Sequence, residues 1–81
     1  MEINKWYHNS KNDILELIFI LDVTDKSYIV LSIQNGLKKI TEYPNFIVDN
    51  NYTECKHIEV KGNRYSIFDS LNHYLGEINL A

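Results

Sequence analysis

Cysteine, proline and glycine are all scarce, with one Cys, one Pro and three Gly in 81 residues. A lone Cys55 excludes an internal disulfide framework and fits a reducing compartment such as the cytoplasm. The single Pro and three scattered Gly exclude a low-complexity chain. No GxGxxG or P-loop can be drawn through Gly36, Gly62 and Gly76, so a phosphate cradle is not expected. Long apolar runs are missing too. The most apolar stretch, Ile14–Leu21, is interrupted by Glu16 and falls far short of the about 20 residues a membrane span needs. The opening segment MEINKWYHN carries Glu2 and Lys5 and has no signal-peptide core. Excess basic charge is also absent. Eight basic residues face eleven acidic ones, for a formal net charge of −3. A nucleic-acid binder that relies on bulk charge is disfavoured, because phosphate neutralisation dominates that affinity.

What is present is 44% apolar residues, too many for a disordered chain. The length allows one small domain, residues 1–81, that buries roughly 60–65% of its unfolded surface. Direct counting gives ten Asn and eleven Ile. Such usage follows from AT-rich coding and points to a low-GC bacterium, its phage or a plasmid.

The chain reads as short strands between turn signals. Residues 2–8 alternate loosely as a first strand or arm, and residues 9–13 form a polar break. Residues 14–23 (ILELIFILDV) are the central apolar element. As a strand they place Leu15, Leu17, Phe19, Leu21 and Val23 on one face, and Ile14, Glu16, Ile18, Ile20 and Asp22 on the other. As a helix, Asp13 would be the N-cap with Glu16 at N3. Three Ile, a Val and a Phe in ten residues favour the strand. A turn at 24–26 leads to 27–34 (SYIVLSIQ), with Ile29, Leu31 and Ile33 inward and Tyr28, Val30, Ser32 and Gln34 outward. Asn35-Gly36 is a strong hairpin signal, since both residues tolerate positive φ. Residues 37–43 form the return strand, ended by Pro44. Residues 46–48 read as a short strand or buried connector and 49–51 as a loop. A second hairpin joins 55–60 to 64–68 through Lys61-Gly62-Asn63. The last segment is either a strand over 73–80 or a short helix capped by Asp69 with Gly76 at C′. The strand is the reading that suits a β-meander. The sum predicts an all-β or β-dominated fold, a small antiparallel meander of five to seven short strands forming a barrel or sandwich.

Chemistry-bearing motifs are sparse. Cys55 and His57 would share one strand face, but a closed zinc site needs four ligands and no CxxC or HxxxH is present. No GxSxG or comparable nucleophile signature occurs. The residues therefore predict no catalytic group, no metal and no cofactor, and a binding protein rather than an enzyme.

Protein binding is the leading expectation, because Trp and Tyr are enriched at interface hot spots. Trp6, Tyr7 and His8 cluster outside the clear strand pattern, and Tyr43 lies beside the first hairpin. Scattered acidic residues would steer the chain toward a basic protein. The concrete expectation is a small acidic accessory protein of bacterial or phage type that inhibits or modulates a partner, as immunity and anti-defence proteins do. The alternative is a small barrel that stacks single-stranded nucleic acid on Tyr beside Lys56, His57, Lys61 and Arg64. Self-association is a further expectation, since a strand apolar on both sides leaves Ile20 and Val30 needing cover that a second copy could supply.

Overall fold

The computed structural model describes residues 1–80. Eight strands and one helix follow in the order β1 (Trp6–Lys11), β2 (Ile14–Val23), β3 (Ser27–Gln34), β4 (Leu37–Pro44), α1 (Asn45–Asn51), β5 (Thr53–Glu54), β6 (His57–Lys61), β7 (Arg64–Phe68) and β8 (Tyr74–Asn79). They build a five-stranded sheet in the order β4-β3-β2-β1-β5 and a three-stranded sheet in the order β6-β7-β8. All pairings are antiparallel. The larger sheet ends at β4 and β5, so the arrangement is two stacked sheets and not a closed barrel. Residues 14–23 form a strand, as their β-branched content predicts.

Local chemistry sets the turns. Asn35 (φ 52°) and Gly36 (φ 75°) both take the left-handed conformation that a two-residue hairpin requires. The Gly62-Asn63 turn joins Lys61 to Arg64 with Gly62 alone at positive φ (60°). A second turn with both residues left-handed lies at Asn12 (φ 53°) and Asp13 (φ 63°), joining Lys11 to Ile14. The first strand is therefore shifted from the expected 2–8 to Trp6–Lys11, and most of the polar break is strand. Asn and Asp adopt positive φ at low cost through local hydrogen bonds, which is why a glycine-free turn forms there.

The alternation of β2 breaks once. A bulge between Ile20 and Asp22 leaves Leu21 unpaired and brings Asp22 opposite Ile29 and Val23 opposite Tyr28, so Val23 leaves the face expected for it.

The helix replaces the short strand or buried connector expected at 46–48 and the loop expected at 49–51. Pro44 ends β4 and stands as N-cap residue, and the next seven residues wind into α1. Its one buried residue, Val48, is fully covered. The side-chain amides of Asn50 and Asn51 donate to the carbonyls of Phe46 and Ile47, each at 2.8 Å, holding the last turn from its exposed side.

Two cores result, one on each face of the large sheet. Tyr7, Ile18, Ile20, Tyr28, Val30 and Val48 form the first, beneath α1. Leu17, Ile33, Cys55, Ile67 and Ile78 form the second, between the sheets. Ile20 and Val30, expected to take cover from a second copy, are completely buried inside one chain. The "outward" face of β3 is thus an inward face as well. Burying a side chain of this size stabilises by roughly 1.5–3 kcal/mol.

At the C-terminal end the strand alternative holds as β8. Asp69 caps a turn instead of a helix, accepting the N–H groups of Leu71 at 2.8 Å and His73 at 2.9 Å.

Candidate functional site

The residues expected to contact a partner do not converge. Trp6 and His8 point to one side of β1 and Tyr7 to the other, as strand periodicity dictates. The Trp6 ring packs between the sheets, 4.8 Å from Phe19 and 6.4 Å from Tyr65. Tyr7 is only 3% exposed, and its hydroxyl accepts the Glu2 N–H at 3.0 Å. His8 is half-buried, and among the described residues its Nε2 finds no hydrogen-bond partner. Burial holds its imidazole below the ordinary histidine value, against a smaller upward pull from the Asp69 carboxylate.

Tyr43 belongs to a different construction. On the helix side of the large sheet, the Glu16 carboxylate is buried and accepts three hydroxyls: Ser32 and Tyr43 at 2.6 Å each, and Tyr52. Burial, reinforced by the hydrogen bond to Glu16, pushes both the Tyr43 and Tyr52 phenols above the ordinary tyrosine value. A hollow of 370 Å³ beside this cluster is lined by Asn9, Lys11, Gln34, Asn51 and Tyr52 among others. The cluster ties the edge strand and the residue after α1 to the central strand. Its hydroxyls replace the water that a buried carboxylate would otherwise lose.

Cys55 and His57 are separated. Cys55 sits in the inter-sheet core, where burial pushes its thiol up to about 12, far from the thiolate that nucleophilic chemistry needs. His57 is exposed and stacks on Phe68, with centroids 4.5 Å apart and planes 8° apart. Among the described residues no cluster of three His, Cys, Asp or Glu side chains could hold a metal ion.

The exposed side of the small sheet carries three cross-strand rows. His57, Phe68 and Tyr74 form an aromatic row, Phe68 and Tyr74 meeting edge-on at 5.7 Å. Glu59, Ser66 and Glu77 come next, then Lys61, Arg64 and Asn79. Lys56 stands at the entry to β6, its N–H bound to the Phe68 carbonyl at 2.7 Å. Glu77 lies 3.5 Å from Arg64, and Glu59 3.7 Å from His57. The basic groups expected to meet phosphate are therefore interleaved with carboxylates.

The large sheet offers a different surface. The register aligns Trp6, Phe19, Leu31 and Ile40 in one row across four strands. That row lies on the side facing the small sheet, but the small sheet covers only part of it. Phe19, Ile29 and Leu31 remain half-buried, and Ile40 is 69% exposed. The row runs out to the free edge of β4; Leu37, 68% exposed, stands on the other face of that strand. Next to it, a shallow hollow of 600 Å³ is bordered by Ser27, Glu42, Pro44 and Phe46. Strand alternation alone marks Leu31 as inward and Phe19 as part of one apolar face, with nothing to distinguish either from ordinary core. The pairing of Leu31 with Ile40 through the Asn35-Gly36 hairpin is the signal that could have found the row.

No protein-family model, curated protein or solved structure matches this chain. No helix among the described residues is long and apolar enough to cross a membrane.

Proposed function

We propose that the chain is a small, non-enzymatic binding protein that docks a partner protein on the open part of the large sheet. The observation that carries this reading is the uncovered row Phe19–Leu31–Ile40. Apolar side chains aligned across strands, rimmed by Lys38, Glu42 and Ser27, have the composition of an interface core with a polar rim. Contiguous exposed apolar surface of this kind marks interaction sites on small soluble domains. The net charge of −3 would steer the chain toward a basic partner. An inhibitor or modulator of bacterial or phage type, in the manner of immunity or anti-defence proteins, fits such a surface on so small a scaffold. The test is a tagged pull-down from the native host, comparing wild type with Phe19→Lys and Leu31→Lys. The expected result is one stoichiometric partner, lost from both variants while their circular dichroism stays unchanged. Retention of the same partner by both folded variants would refute the reading.

A second reading rests on the His57–Phe68–Tyr74 row, which resembles a stacking platform for single-stranded nucleic acid. The intervening Glu59 and Glu77 oppose a phosphate backbone, so this reading ranks below the first. A filter assay at low salt checks it. Binding that weakens with salt and falls in Arg64→Glu supports it, and no binding removes it.

A further inference from the structure

We propose that β4 is a self-complementary edge at which a second copy of this chain adds in antiparallel fashion, centred on Ile40. This goes beyond the partner reading and does not depend on it.

The hydrogen-bonding phase comes first. The two-residue turn at Asn35-Gly36 closes on the Gln34/Leu37 pair, and antiparallel ladders alternate between bonded and non-bonded pairs. Leu37, Lys39, Thr41 and Tyr43 thus bond to β3. The phase is visible at the far end of the same ladder, where the Asn45 N–H donates to the Lys26 carbonyl at 2.9 Å. The N–H and C=O groups of Lys38, Ile40 and Glu42 therefore point away from β3, toward the free edge. Pro44 falls in the same outward phase, so its missing N–H takes no bond from the ladder.

A two-fold axis at Ile40 pairs outward-pointing residues with outward-pointing residues. Ile40 meets Ile40, and Lys38 meets Glu42 of the other copy, twice. On the opposite face Leu37 meets Tyr43 and Lys39 meets Thr41. Directly opposed opposite charges on an antiparallel pair attract, and like charges repel. Among the described residues Lys38 makes no ion pair, and Glu42 binds only the Ser27 hydroxyl, through one oxygen. The exposed Ile40 and Leu37 both gain an apolar neighbour. The row Trp6–Phe19–Leu31–Ile40 continues unbroken into its symmetry mate, joining two five-stranded sheets.

Another edge shows the contrast. In β6 a two-fold axis at the middle of the strand sets Glu59 against Glu59 at the close, non-bonded position, which disfavours that register. At the other end of the large sheet, β5 is two residues long and offers little to pair with.

The test uses two charge reversals, Lys38→Glu and Glu42→Lys, with sedimentation velocity from micromolar to millimolar concentration. Wild type is expected to approach twice the 9.6 kDa of one chain. Each reversal alone opposes like charges at two positions and should weaken self-association by about tenfold or more. An equimolar mixture of the two variants restores both ion pairs and should recover the dimer. Amide exchange on wild type needs no variant: the N–H groups of Lys38, Ile40 and Glu42 should become protected as concentration rises. A wild type that stays monomeric at millimolar concentration, or a dimer in which those three amides remain unprotected, would overturn the proposal. So would a mixture of folded variants that associates no better than either alone.

Discussion

Leu17 and Ile18 are neighbours in sequence, both are fully buried, and they belong to different cores. Leu17 faces the small sheet and Ile18 faces α1. An 81-residue chain thus covers its central strand on both sides, one side with a seven-residue helix and the other with a three-stranded sheet. The small sheet is too narrow to reach β4, and the open row follows from that shortage.

Truncation on either side of β2 should therefore cost similar stability. Leu17→Ala and Ile18→Ala are each expected to lose about 2–5 kcal/mol, the range for deleting a fully buried aliphatic side chain. Ile40→Ala, at an exposed site, should lie within about 0.5 kcal/mol of wild type in dilute solution. Urea unfolding checks all three. A small loss at either Leu17 or Ile18 would mean that one of the two cores is loosely packed.

Alkali should unfold the protein earlier than carboxylate chemistry would suggest. Burial, together with a hydrogen bond to Asp49, pushes the Tyr28 phenol from 10.0 up to about 12, and burial pushes the Cys55 thiol from 9.0 up to about 12. The unfolded chain releases these protons first, so the folded state holds more protons between the two values. Stability contributed by the protonated groups is complete below the unfolded values and is lost as pH climbs toward the folded ones. The urea midpoint should be flat up to about pH 9 and fall steadily toward about pH 12. A midpoint that holds level across that interval would contradict the burial of both groups.

Gly76 and Gly62 make a paired test of backbone geometry. Gly76 has φ 144°, and a Cβ there would stand 3.2 Å from Leu15 Cδ2. Gly62 has φ 60° with open space around it. Gly62→Ala should cost about 1–2 kcal/mol from left-handed strain alone. Gly76→Ala should cost more, because strain and a crowded neighbour combine, to about 2–4 kcal/mol. Thermal melts decide the order. Equal losses would show that Leu15 moves aside freely.

How much the sequence discloses varies by element. The Asn35-Gly36 hairpin is legible because its cause is local, two residues that accept positive φ between alternating runs. The strand over 14–23 is legible from its β-branched residues. α1 is not, since Ile47 and Val48 favour strands and Asn50 and Asn51 favour turns; its helix depends on burying Val48 against strands more than ten residues away. The shift of β1 escaped because Asn9-Ser10-Lys11 is polar, and its pairing is imposed by β2. The open row Phe19–Leu31–Ile40 is the least legible feature. Its residues look like ordinary core, and only the width of the small sheet decides which of them stay uncovered.

The most direct examination of the binding surface is photo-crosslinking in the native host. A photo-reactive side chain replaces Ile40 in one variant and Leu31 in a second, with Glu59 on the exposed side of the small sheet as control. The account predicts that positions 40 and 31 each form an adduct with one protein other than this chain, position 40 linking in addition to a second copy across β4, while position 59 forms none. Adducts from position 59 alone, to protein or to nucleic acid, would contradict it and move the site to the small sheet.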